Sequence, residues 1–166
     1  VAGSKSKNKG KRGERELTTL MSELFGGSWV RVPNSGAAVG GSNAFRRQTL
    51  SETQVRSAKG DIIPPDHMPK IVLECKSYDN LRFHQLIQPD GCKQLDEWIY
   101  QTLDAVDEND VWFLTFKIDR LGWFICFSNH SDFIVENHCI YKNYIVTDMM
   151  SFLTANKDVI LRLCSA

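Results

Sequence analysis

The chain has 166 residues, 42% of them apolar, with 20 basic and 20 acidic side chains and a formal net charge of zero. That size supports one domain with a full core and no need of disulfide or metal staples, and the overall balance argues against a general polyanion binder. There is no apolar run long enough for a membrane span and no signal-peptide series, and the five cysteines form no C-x-x-C pair, so the expectation is a soluble, intracellular protein with reduced thiols.

Charge is unevenly distributed along the chain. Residues 1–16 carry six basic side chains against two acidic ones, and residues 45–60 carry four against one. Residues 96–136 hold nine acids against two bases, a distribution suited to a protein with a single polyanion-facing side.

In chain order, residues 1–12 read as a flexible basic tail, polar and without periodicity, ahead of a single domain over 13–166. Leu17, Leu20, Met21, Leu24 and Phe25 recur at helical spacing and are stopped by Gly26 and Gly27, which predicts an amphipathic helix. "SWVRVP" reads as a strand ended by Pro33. The long Gly-, Ser- and Arg-rich stretch over 34–59 reads as a mobile loop of functional type. "GDIIPPDHMPKIVLECKS" predicts two strands around the turn "PPDHMP". A second amphipathic helix follows on Leu95, Trp98, Ile99, Leu103 and Val106, and "VWFLTFKI" and "GWFICFS" form an apolar hairpin about "DRLG". From "YKNYIVTD" onward a final strand leads into a closing helix with Asp148 as its N-cap. The order of elements predicts an α/β fold, a mixed central sheet flanked by helices.

The chemistry gathers at "IVLECKS". On a strand, Val72, Glu74 and Lys76 share one face, and Asp61 opens the preceding strand, so two carboxylates and an ammonium can converge. Like charges brought together cost free energy unless a divalent cation bridges them, and oxygen donors select Mg2+, with Mn2+ as a substitute. The matching reaction is phosphodiester hydrolysis, with Lys76 orienting or deprotonating the water or touching the phosphate. A solvated Glu74–Lys76 pair on an outer face is the alternative that the spacing alone leaves open. On the first helix, Glu14 falls on the side of Leu17, Met21 and Leu24, facing the sheet together with Gly13, whereas Glu16 lies toward the flank.

Asp61, Glu74 and Lys76 form the PD-(D/E)-x-K nuclease signature. "KGKRGERELTTL", "VRVPNSG" and "LECKS", taken in order across residues 9–106, resemble the archaeal-type Holliday junction resolvases. The resemblance implies a restriction-endonuclease-like core and a Mg2+-dependent endonuclease that acts as a homodimer on four-way DNA junctions. It implies metal ligation by Glu14, Asp61, Glu74 and the backbone carbonyl of Cys75, with Ser35 in a loop near the scissile phosphate and Gln94 on the helix after the E-x-K strand. Lys9, Lys11, Arg12, Arg15, Arg31, Arg46, Arg47, Arg56 and Lys59 would meet the DNA backbone, and "VWFLTF" with "GWFICF" would supply either a subunit interface or internal core. Another nuclease of the same signature, cutting duplex or flapped DNA, and a non-catalytic nucleic-acid-binding domain are the competing readings.

Overall fold

The apolar, β-branched run Ile71–Tyr78 makes the strand about which the molecule is organised. The computed structural model describes residues 2–32, 48 and 59–166, with side chains from residue 8 onward. In chain order the elements are α1 (Ala2–Phe25), β1 (Val30–Arg31), β2 (Ile62–Ile63), β3 (Ile71–Tyr78), a short 3-10 helix (Phe83–Ile87), α2 (Lys93–Asp104), β4 (Val111–Ile118), β5 (Gly122–Ser128), β6 (His138–Tyr141), β7 (Tyr144–Asp148), α3 (Met149–Ala155) and α4 (Lys157–Cys164). The strands form one sheet in the order β1-β2-β3-β4-β5-β7-β6. Among the described residues only β3 and β4 run parallel, joined by the α2 crossover, and every other neighbouring pair is antiparallel. This is the mixed, helix-flanked α/β sheet that the sequence predicts.

Alternation along the strands divides the core into two layers. Ile71, Leu73 and Cys75 of β3 pack with Leu17 and Met21 of α1 and with Phe152 and Ile160 of α3 and α4. Val72, on the opposite face, packs with Leu95, Trp98 and Ile99 of α2. β4 and β5 are buried on both faces, Phe113, Ile125 and Phe127 in the first layer and Leu114, Phe116 and Cys126 in the second. Their near-continuous apolar sequences follow from that double burial, and of the two uses left open for these strands the structure selects internal core.

Three boundaries differ from expectation. α1 runs from Ala2, so residues 2–12, expected as a flexible tail, are continuous with the first helix. That half has no apolar stripe, and tertiary ion pairs hold it instead: Lys9 reaches Asp79 and Asp119. β6 was not expected and pairs with β7 across a turn at Lys142, whose φ is +53°. The closing helix is broken in two at the buried Asn156, whose side chain bonds the backbone of Ile134 at 2.7 and 2.8 Å and the carbonyl of Phe152 at 2.9 Å. Asp148 caps α3 as expected, accepting the Ser151 amide at 2.8 Å.

Candidate active site

The site begins with a close approach of two backbones. Gly60 has φ +63°, and a Cβ there would lie 2.4 Å from the carbonyl oxygen of Leu73, so only glycine lets the chain enter β2 at this distance. The next residue, Asp61, donates its amide to Leu73 O at 2.8 Å and accepts the amide of Cys75 on Oδ2 at 2.8 Å. Its carboxylate thus extends the β2–β3 pairing just before the two-residue β2 begins. The preceding Lys59 is pinned by Asp107 and Asp110 at 2.6 Å each and is only 12% exposed. It anchors the entry to β2 on the loop before β4.

Glu74 and Lys76 project from the α2 face of β3 and pair at 2.7 Å, both largely buried. The Glu74 carboxyl is raised to about 7, first by burial and second by the charge of Asp61, with Lys76 opposing and a hydrogen bond with Asp61 reinforcing the shift. Burial works to lower Lys76, but the charge and hydrogen bond of Glu74 and the charge of Asp61 outweigh it, and its pKa rises. Burial and the second carboxylate thus raise Glu74 together, while for Lys76 the two carboxylates overcome burial. In the metal-free chain this favours the ammonium form of Lys76.

Glu14 approaches from the other face of the sheet. It is buried on the core side of α1, as its helical position predicts. Gly13 beside it lets the helix close onto β3: a Cβ at that position would lie 3.2 Å from Ser77 Cβ and 3.8 Å from Cys75 Sγ. The carboxylate of Glu14 accepts from the guanidinium of Arg31 on β1. The Cys75 thiol records the convergence, since its pKa is pushed up by burial and then, in order, by the charges of Asp61, Glu14 and Glu74.

The donor set fits a hard divalent cation. It is all oxygen, centred on the Asp61–Glu74 pair, and Lys76 and Arg31 leave it short of neutral. Among the described residues no three His, Cys, Asp or Glu side chains stand as a ready-made ligand cluster. The structure brings Asp61 and Glu74 together and turns Glu14, the third expected ligand, toward Arg31.

Other expected residues lie around this centre. Lys11, Arg12 and Arg15 are exposed on α1. Arg12, Lys9, Gly13, Ser77, Lys117 and Arg120 border a cleft of about 510 Å³ beside the C-terminal ends of β3 and β4. Gln94 is half-buried in the first turn of α2, the helix that covers the Glu74 face of β3. Ser35, Arg46, Arg47 and Arg56 lie outside the described residues. Glu16, toward the flank of α1 as expected, accepts from Lys117 at 2.6 and 2.8 Å and from Trp123 Nε1 at 3.0 Å. Burial works to raise its pKa, but these hydrogen bonds and the Lys117 charge hold it below the usual carboxylate range. Arg31 and Lys59, expected at the DNA backbone, are found in ion pairs that shape the site. The acidic "DEND" was the signal for Lys59, but nothing local tied it to residue 59.

A protein family described as "Phage putative PDDEXK endonuclease" matches residues 5–162. Protein D14 of Escherichia phage T5 is 32% identical over 136 residues, which cover 80% of this chain and 76% of that protein. No solved structure matches the chain. The match supports the PD-(D/E)xK superfamily through a phage family, not through the archaeal-type resolvase family that the N-terminal motifs resemble. With Asp61 beside Glu74 and Lys76 of β3 and nearly the whole length matched, the chain belongs to the phage PDDEXK endonuclease family and is a nuclease of the PD-(D/E)xK type.

Proposed function

We propose that the protein is a Mg2+-dependent endodeoxyribonuclease, with Mn2+ able to substitute, that acts as a homodimer on branched DNA, four-way junctions in particular, inside a phage-infected cell. The observation that carries the metal-dependent chemistry is the meeting of Asp61 and Glu74 at β3 beside Lys76. The preference for junctions draws its support from the resolvase-like "KGKRGERELTTL" and "LECKS" segments.

Asp61, Glu74 and the Cys75 carbonyl would hold the cation, with Glu14 joining once released from Arg31. When bound, the cation supplies Lewis acidity toward the phosphodiester and its attacking water. The chain's own groups do the rest. Asp61, fixed by the Cys75 amide, sets where the phosphate seats, and Lys76 Nζ neutralises charge that grows on a non-bridging phosphate oxygen. Glu74, whose burial beside Asp61 favours its protonated form in the metal-free chain, would have to give up that proton to serve as a ligand. Arg12, Lys11 and Arg15 on α1 offer contacts to flanking phosphates that do not depend on base sequence.

The test uses labelled four-way junction, linear duplex and flap DNA with Mg2+, Mn2+ or EDTA. The expected result is cutting of the junction with either metal, none in EDTA, and loss of at least a hundredfold in rate for Glu74→Gln. Equal cutting of all three DNAs would remove the junction preference and leave a restriction- or repair-type nuclease. Binding without cleavage in both metals would favour a non-catalytic DNA-binding domain. Sedimentation with and without junction reads the dimer directly.

A further inference from the structure

Tyr78 closes β3 on the same face as Glu74 and Lys76, one strand repeat beyond the lysine. The repeat of two residues along a strand is roughly 6.6 Å, close to the span between a backbone phosphate and its base. Tyr78 is 42% exposed although it stands among buried neighbours. Its ring packs on Trp98 of α2 with centroids 4.8 Å apart, Trp98 packs on Phe116 at 5.6 Å, and Phe116 stacks on Phe124 at 5.6 Å. Its main chain is fixed by the parallel pairing with β4 and by the Asp119 amide, which donates to its carbonyl at 3.1 Å. Tyr78 is thus the solvent-facing end of a continuous row of rings running into the second core layer. Such a ring is planar and already immobilised, so covering it with another π-face orders almost nothing further.

We infer that Tyr78 is a stacking platform for a nucleobase that has left its helical stack next to the phosphate held at Lys76, and that it makes the enzyme select DNA with an unstacked base at the cut site. This rests on the nuclease reading above and gives its substrate class a physical basis. A base inside a continuous duplex has both faces covered and cannot use the platform, whereas a base at a branch point can. Every base has a π-face, so the selection is for structure and not for sequence.

The experiment measures binding by fluorescence anisotropy in Ca2+, which substitutes for Mg2+ without turnover. Three labelled DNAs are compared: a four-way junction, the same junction with abasic sites at the branch point, and a linear duplex. Wild type should bind the intact junction about five- to a hundredfold more tightly than the abasic one. Tyr78→Phe should keep that ratio. Tyr78→Leu, which still covers Trp98 but offers no planar face, should bring it to about one without changing duplex affinity. Thermal melting of each variant reads any purely structural role, which would lower stability and weaken all three DNAs alike. A Tyr78→Leu variant that keeps the wild-type ratio, or a wild type indifferent to the abasic sites, overturns this inference alone. A wild type that binds none of the DNAs removes the nuclease reading together with it.

Discussion

Glu74 carries the clearest pH signature among the site residues. Its folded pKa of about 7 lies above the ordinary 4.5, so the folded chain binds this proton more tightly than the unfolded chain does. The associated stability is complete below pH 4.5 and is lost as the pH rises through 7. In chelator, the stability of the wild type should therefore fall between pH 5 and pH 8. Glu74→Gln should flatten that fall and be more stable than wild type at pH 8 by about 1–3 kcal/mol, as read by urea titration. Saturating Mg2+ should abolish the wild-type slope by favouring the carboxylate. Arg31 provides the complementary case. Removing it leaves Glu14 as a buried, uncompensated charge, so Arg31→Ala should lose about 1–3 kcal/mol in EDTA. Mn2+ should restore more stability to this variant than to wild type, since the cation then faces Glu14 without a competitor.

Among the elements, the entry to β2 matters out of proportion to its length. Gly60→Ala would drive a Cβ against the Leu73 carbonyl at a backbone angle that L-residues rarely adopt. Cleavage should fall more than tenfold while circular dichroism keeps the sheet and helix bands, because the rest of the ladder does not depend on Gly60. Asp148→Ala is the contrasting control: loss of the α3 cap should cost about 1 kcal/mol and leave cleavage unchanged. The strands and helices were legible where apolar residues repeat at a period of two or near 3.6, as in Ile71–Tyr78 and Leu17–Phe25. The faces that Glu14, Glu74 and Lys76 take were legible because helix and strand periodicity fix which way each points, and the nearness of Asp61 to Glu74 because the expected pairing of the two strands brings them together. The first half of α1 was not, because Lys9 finds Asp79 and Asp119 only after folding. The Lys59 anchor and the Arg31–Glu14 pair escaped for the same reason, their partners being remote in sequence. β6 was hidden by a turn in which Lys142, not glycine, takes the positive φ.

For the molecule as a whole, both faces of β4 and β5 are covered, so the second subunit of the proposed homodimer would have to dock elsewhere. The long β3–β4 pairing joins eight residues of each strand in register at the centre of the sheet. Asp61, by contrast, immediately precedes a two-residue strand that, among the described residues, is backed by another of two residues. Local opening follows the weakest pairing. On warming, the cutting edge should detach ahead of the body: incision should cease several degrees below the calorimetric transition, and the Asp61 amide should exchange with deuterium sooner than those of the central pair. A nuclease built this way would disarm itself before it melts.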